Sequence, residues 1–199
     1  MRARSRRHCT RGQHDPVRSG GRRRTSCRPT AGTPAGAWVH SARVALFEPF
    51  FDALNRANVR YVVVGGFATV LHGFARLTGD VDLVIDLDPP AARHTLDTLG
   101  HLGFRPRAPV DPADFADPSI RRRWFVEHSM RVFSMWDPVN PMREVDLFVE
   151  PPIAFEELWS RSQVVQLDAV TVRVAAISDL IAMKRLAGRP QDLIDIEAL

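Results

Sequence analysis

One stretch constrains this chain more than any other: Tyr61 to Asp86, YVVVGGFATVLHGFARLTGDVDLVID. Tyr61 to Val64 reads as a strand, Gly65 and Gly66 as a sharp turn, the next residues as a short helix, and the end as a second strand carrying Asp80 and Asp82. Strand side chains alternate between faces, so Asp80 and Asp82 project together while Val81 and Leu83 face the buried side. Two adjacent carboxylates repel one another and weaken a fold unless a cation lies between them. A hard divalent ion such as Mg²⁺ suits that pair and ordinarily keeps phosphate oxygens among its remaining ligands. The glycines let the backbone approach a ligand closely, and a helix opening at Gly66 or Phe67 aims N–H groups at an anion.

A second Val-Asp-Leu follows at 145–147, within Arg143-Glu144-Val145-Asp146-Leu147. If this strand pairs beside the first, Asp146 completes a cluster of three carboxylates. Glu144 lies on the same face and competes for that place; Asp146 is preferred because its Val and Leu neighbours copy the setting of Asp82. The order Gly-Gly, spacer, Asp-Val-Asp-Leu, later Asp strand resembles the nucleotidyltransferase superfamily of DNA polymerase beta type. His72, Gly73, Arg76 and Thr78 bring the resemblance closer to bacterial minimal nucleotidyltransferases, the abortive-infection toxin type among them. Position 67 is Phe, where larger members often place Ser, so a hydroxyl contact to phosphate is absent there.

The resemblance implies transfer of a nucleoside monophosphate from an NTP to an acceptor hydroxyl, with release of pyrophosphate. Three carboxylates can seat two Mg²⁺ ions for in-line phosphoryl transfer. Asp80, Asp82 and Asp146 are then the catalytic and metal-binding set, and Gly65, Gly66, Arg76 and Thr78 face the nucleotide. Arg76 has two readings, a phosphate ligand or a structural ion pair. His72 reads as a hydrogen-bonding residue at a helix end, since Mg²⁺ prefers oxygen. The segment LIAMKRLAGRPQDLIDIEAL resembles the C-terminal signature of the minimal enzymes. It implies that Lys184, the one lysine of the chain, contacts the triphosphate, and that Arg189 with Asp192 or Asp195 forms an ion-pair network. The acceptor is a tRNA end, a protein side chain or a small molecule, and an antitoxin partner follows from the toxin-type resemblance alone. The alternative is a domain of the same fold that binds a nucleotide or a partner without transferring anything.

Charge divides the chain. Residues 1–40 carry ten Arg and a single acid, Asp15, so the remaining 17 basic and 22 acidic residues leave a body of net charge about −5. A segment so rich in Arg, Ser, Gly, Pro and Thr buries too little apolar surface to offset its ordering entropy, and disorder is expected over 1–40. Its readings are a basic arm for nucleic acid or a start misplaced upstream of Val39 or Val44, and the second is favoured. Cys9 and Cys27 both lie there without further ligands and indicate neither a zinc site nor a disulfide framework. With no apolar run long enough to span a bilayer and no secretory h-region, a cytoplasmic setting without membrane contact is expected.

Residues 41–199 read as one domain. Leu46, Phe47, Phe50, Phe51 and Leu54 form a helical stripe, with a start at Glu48 suggested by Pro49. Further helices are expected from Pro89 through Leu99, from Leu180 to Leu186 and from Pro190 onward. Further strands are expected as a fragment after Phe104 and over 130–135, 143–149, 164–167 and 170–175. Arg121, Arg122 and Arg123 offer either an electropositive patch for the acceptor or triphosphate, or a solvated surface above Trp124. The fold expected is α/β (α+β): a mixed, twisted sheet of four or five strands, helices on one side and the acidic cleft on the other.

Overall fold

A computed structural model describes residues 35–74 and 76–199, with side chains from Ala45 onward. The expectation of disorder for the Arg-rich tail lies outside the described residues over 1–34, and over 35–40 it is overturned, since these residues are helical.

The long helix α1 (Ala35–Arg56) comes first. It starts well before Glu48, because Pro49 sits within it on the exposed side rather than in its first turn. Proline removes one helical hydrogen bond, which is tolerable where the freed carbonyl meets water. The buried stripe is as expected: Phe47, Phe50, Phe51 and Leu54 are fully buried. Their rings interlock with Phe67, Phe104 and Tyr61 at centroid separations of 5.1–6.1 Å, the spacing at which aromatic pairs attract.

Strand β1 (Tyr61–Val64) leads directly into α2 (Gly65–Leu71), and β2 (Val81–Ile85) runs back antiparallel to β1. After α3 (Pro89–His101) come the short β3 (Arg105–Pro106), a 3₁₀ turn over Pro112–Ala116 and α4 (Pro118–Glu127). Strands β4 (Val132–Trp136) and β5 (Glu144–Phe148) form an antiparallel pair. The chain ends with α5 (Phe155–Arg161), the hairpin β6 (Gln163–Leu167) and β7 (Val170–Val174), α6 (Ile177–Ala187) and α7 (Pro190–Ala198).

All seven strands join one sheet in the order β3-β4-β5-β2-β1-β7-β6. The expected four or five strands fall short because the fragment after Phe104 and the 164–175 hairpin extend both edges of the same sheet. Two parallel pairings, β2 with β5 and β1 with β7, make it mixed. The interior strand β1 is buried along its whole length, as expected of a strand covered on both faces. At β4 and β5 burial alternates. Phe133, Met135, Val145 and Leu147 turn into the core, where Trp124 and Phe115 lie on Phe133, while their neighbours turn outward.

The α4 helix was not foreseen; the Pro- and Asp-rich residues up to 120 read as a strand fragment followed by loop in the sequence. Asp117 starts it by accepting the backbone N–H groups of Ser119 and Ile120 at 2.7 and 3.3 Å, the cap geometry that Asp favours. It also divides the three arginines. Arg121 is buried and donates to the Phe115 and Leu87 carbonyls at 2.5 and 3.0 Å, Arg122 pairs with Glu150, and Arg123 is exposed. They form no common patch.

Candidate active site

The register of β1, β2, β5 and β4 brings the acids together. Asp82 lies opposite Asp146 across the parallel pair, and Asp146 lies opposite Ser134 on the far side. Residues opposite one another share a face, so the row Asp82–Asp146–Ser134 crosses three strands with its side chains pointing one way. Asp80 joins from the bend just before β2, where its Oδ1 accepts the Thr78 hydroxyl at 3.1 Å. One oxygen from each of Asp80, Asp82 and Asp146 lies within 4.8 Å of the others. Glu144, the competitor, is occupied: Arg107 holds both its oxygens, at 2.9 and 2.7 Å, and keeps its carboxyl below the usual range.

The acids lack comparable partners. Burial pushes Asp82 up to about 7, and the neighbouring charges of Asp80 and Asp146 add to the rise; the Gly66 N–H and the Arg189 charge pull against it. Burial also raises Asp146, aided by Asp80 and Glu144 and opposed by the Ser134 hydroxyl and Arg107. The Asp146 Oδ1 is buried with no hydrogen-bond partner. A buried acceptor left unmatched is costly, and so are like charges at this separation. A divalent cation answers both, and an all-carboxylate donor set is of the hard kind that Mg²⁺ selects. The residues fit the ion.

The glycine turn has a more specific role than its composition suggests. Gly65 has φ +63°, and a Cβ there would lie 2.0 Å from Asp82 Oδ2. A Cβ on Gly66 would lie 2.8 Å from Thr78 Oγ1 and 2.9 Å from Arg76 Cζ. The pair therefore makes room for Asp82, Thr78 and Arg76, and the Gly66 N–H is spent on the Asp82 carboxylate.

Behind the turn lies an ion-pair cluster anchored on α6 and α7. Lys184, 4% exposed, donates to Asp195 at 2.6 Å and stands 3.9 Å from Asp192. Arg76 pairs with the same Asp195 oxygen, and Gln191 donates to the other at 3.1 Å. Burial pushes Asp195 up, but Lys184, Gln191 and Arg76 outweigh it and hold the carboxyl below the usual range. Arg76 thus takes the ion-pair reading, while its guanidinium still borders the glycine turn. Lys184 points into the cluster rather than outward to a triphosphate.

Arg189 was expected only as part of this network. It does bind Asp192, with Nε 2.9 Å from Oδ2, but its side chain is 74% exposed and its charge reaches Asp82 and Asp80. Its place after Gly188, which caps α6 with φ +64°, was the sequence signal for a cation swung outward at a helix junction. His72 is structural as expected: its Nε2 donates to the Ala175 carbonyl at 2.8 Å.

A mixed sheet with a glycine turn facing an Asp-x-Asp strand, and a third Asp on the parallel neighbour, is the architecture of the nucleotidyltransferases. The chain belongs to the family described as nucleotidyltransferase of unknown function (DUF6036), whose model matches residues 46–199. Among solved structures it is similar to an antigenic nucleotidyltransferase-like protein from Paracoccidioides brasiliensis, with TM-score 0.51, 18% identity, and 78% of this chain and 74% of that one covered. It is also similar to ANT(2")-Ia, solved in complex with adenylyl-2"-tobramycin, with TM-score 0.52, 14% identity, and 79% and 87% covered. At these identities the two structures bear on the fold alone. A search of curated proteins finds no match. No described helix is long and apolar enough to cross a membrane.

Proposed function

We propose that the protein is a Mg²⁺-dependent nucleotidyltransferase that moves a nucleoside monophosphate from an NTP to an acceptor hydroxyl. The observation that carries this reading is the convergence of Asp80, Asp82 and Asp146 with one buried oxygen of Asp146 unpartnered. The acceptor oxygen bonds to the α-phosphorus, the bond from that phosphorus to the β-phosphate oxygen breaks, pyrophosphate leaves, and the hydroxyl proton passes to solvent. Bound divalent ions would supply charge neutralisation for the leaving pyrophosphate and would acidify the attacking hydroxyl.

The residues of this chain do the placing. Asp82 and Asp146, fixed by paired strands, and Asp80, oriented by Thr78, hold the ions. Gly65 and Gly66 leave room for the Asp82 carboxylate, Thr78 and Arg76 to pack against the turn, which holds Asp82 in place beside the nucleotide. Arg189 offers an exposed cation beside the acids, and Arg76 a second one at the turn. Lys184 acts from beneath, fixing Asp195 and through it Arg76. A toxin role with an antitoxin partner belongs to this proposal through the sequence resemblance, and growth arrest on induced expression tests it.

The direct test incubates the protein with Mg²⁺, each α-labelled NTP, and total tRNA or cell extract, beside Asp80→Ala. Label transfer that vanishes in the variant supports the reading. Saturable NTP binding without transfer to any acceptor would instead make the domain a binding module.

A further inference from the structure

The row of acids does not stop at Asp146. It continues across the sheet through Ser134 to Arg107, whose backbone N–H donates to the Ser134 carbonyl at 2.9 Å. On this same face Val132, Trp136, Glu144 and Phe148 stay partly exposed, unlike their fully turned-in neighbours. An antiparallel face that stays partly exposed beside Asp146, with aromatic groups on it, is reachable by a ligand.

Arg107 defines what that ligand is. Its guanidinium lies 4.9 Å from the Trp136 ring centroid, and its Nε and Nη2 grip both oxygens of Glu144. A bidentate pair of this kind is geometrically specific, and it occupies Glu144, the acid of this face that stands outside the Asp80–Asp82–Asp146 trio. The pair is not sealed: the side chains are 47% and 27% exposed, and Nη1 stands outside the bond to Glu144. The surface thus presents a flat guanidinium over an indole, a spare cationic donor and a hydroxyl, with its own acid already neutralised. With divalent ions on Asp80, Asp82 and Asp146, a polyamine would find no free carboxylate here among the described residues, whereas a ring can stack and an anion can take Nη1.

We propose that the open face of β3–β4–β5 is the acceptor subsite, and that Arg107, locked to Glu144 over Trp136, selects a ring-bearing hydroxyl compound with an anionic group and rejects polycationic acceptors. The proposal rests on the nucleotidyl-transfer reading, since that reading places the acceptor hydroxyl beside Asp146. Arg107 is then a specificity residue whose removal reverses the preference by releasing the Glu144 carboxylate.

Calorimetry on the full chain, saturated with Mg²⁺ and α,β-methylene-ATP to fill the nucleotide site, tests it with two probes. Adenosine monophosphate stands for an anionic ring compound, and tobramycin for a polycationic aminosugar. Wild type is expected to bind adenosine monophosphate at least tenfold more tightly than tobramycin. Arg107→Ala should weaken the first at least tenfold and strengthen the second at least tenfold. Trp136→Ala should weaken adenosine monophosphate without strengthening tobramycin. Glu144→Gln, which keeps the cation, should not admit tobramycin. Equal affinities of wild type and Arg107→Ala for both probes overturn the proposal, as does wild type preferring tobramycin. If α,β-methylene-ATP itself fails to bind, the nucleotidyl-transfer reading falls first and takes this one with it.

Discussion

Two clusters of aspartates border the glycine turn, one through Asp82 and the other through Arg76, and they are built on opposite principles. On α7, Asp192 and Asp195 are buried, and each has cations in contact: Lys184 and Arg76 on Asp195, Arg189 and Lys184 on Asp192. On the sheet, Asp80, Asp82 and Asp146 face one another, with two hydroxyls, one amide and more distant charges as their relief among the described residues. The first cluster satisfies itself and the second does not. Mutually repelling carboxylates in a half-buried row fit a divalent cation among them, as the proposed function requires.

The sharpest way to break this contrast is to neutralise one acid in each cluster. Asp82→Asn should abolish label transfer, by about a thousandfold or more, since metal and phosphate positioning both go with it. It should leave the metal-free protein as stable as before or more so, because a repulsion is removed; thermal melts beside the transfer assay check both. Asp195→Asn should do the reverse to stability. It strands the buried Lys184 ammonium, which costs about 3–5 kcal/mol when a buried pair loses one partner, and urea denaturation should show the midpoint fall. A stabilising Asp195→Asn or a strongly destabilising Asp82→Asn would erase the distinction.

The next effect comes from the turn. Gly65→Ala places a methyl where Asp82 Oδ2 now sits and forces a non-glycine residue to φ +63°. The backbone term alone is about 1–2 kcal/mol, and displacement of Asp82 should reduce transfer beyond what that loss explains. Transfer equal to wild type would mean that the turn tolerates a moved Asp82.

The smallest effect is a pH dependence. Asp82 titrates at about 7 in the folded metal-free protein, well above an exposed aspartate. The folded state therefore binds this proton more tightly than the unfolded chain does, and that contribution to stability is present at low pH. It is lost as pH rises from the ordinary carboxylate range through about 7. The melting temperature without metal should drop between pH 5.5 and 8, Mg²⁺ should restore it, and Asp82→Asn should flatten the profile. A metal-free profile that rises over this interval would contradict the repulsion.

Much of this site was readable in the chain. Period-two alternation places Asp82 and Asp146 on one face of their strands, and the repeated Val-Asp-Leu context favours Asp146 over Glu144; the register sets Asp146 opposite Asp82, and Arg107 pairs with Glu144. What stayed hidden depended on contacts distant in sequence. Arg76 reaches Asp195, 119 residues later, and no local pattern tells an arginine which acid it will meet. Lys184 read as a phosphate ligand through the resemblance of its segment to the C-terminal signature of the minimal enzymes, yet it is buried against Asp195 and Asp192 of α7. The seven-stranded sheet was undercounted for a similar reason: each strand segment was visible, but edge pairing is decided by tertiary neighbours. The α4 helix was masked by its Pro and Asp content, which marks a helix start as readily as a loop.

The central claim, that three sheet carboxylates wait for two divalent ions, meets its most direct test in a Mn²⁺ titration followed by electron paramagnetic resonance, with α,β-methylene-ATP bound. Wild type should take up two ions per chain, and Asp146→Asn should lose one of them while Asp195→Asn, where folded, keeps both. Identical uptake by wild type, Asp82→Asn and Asp146→Asn would show that the row on the sheet holds no metal.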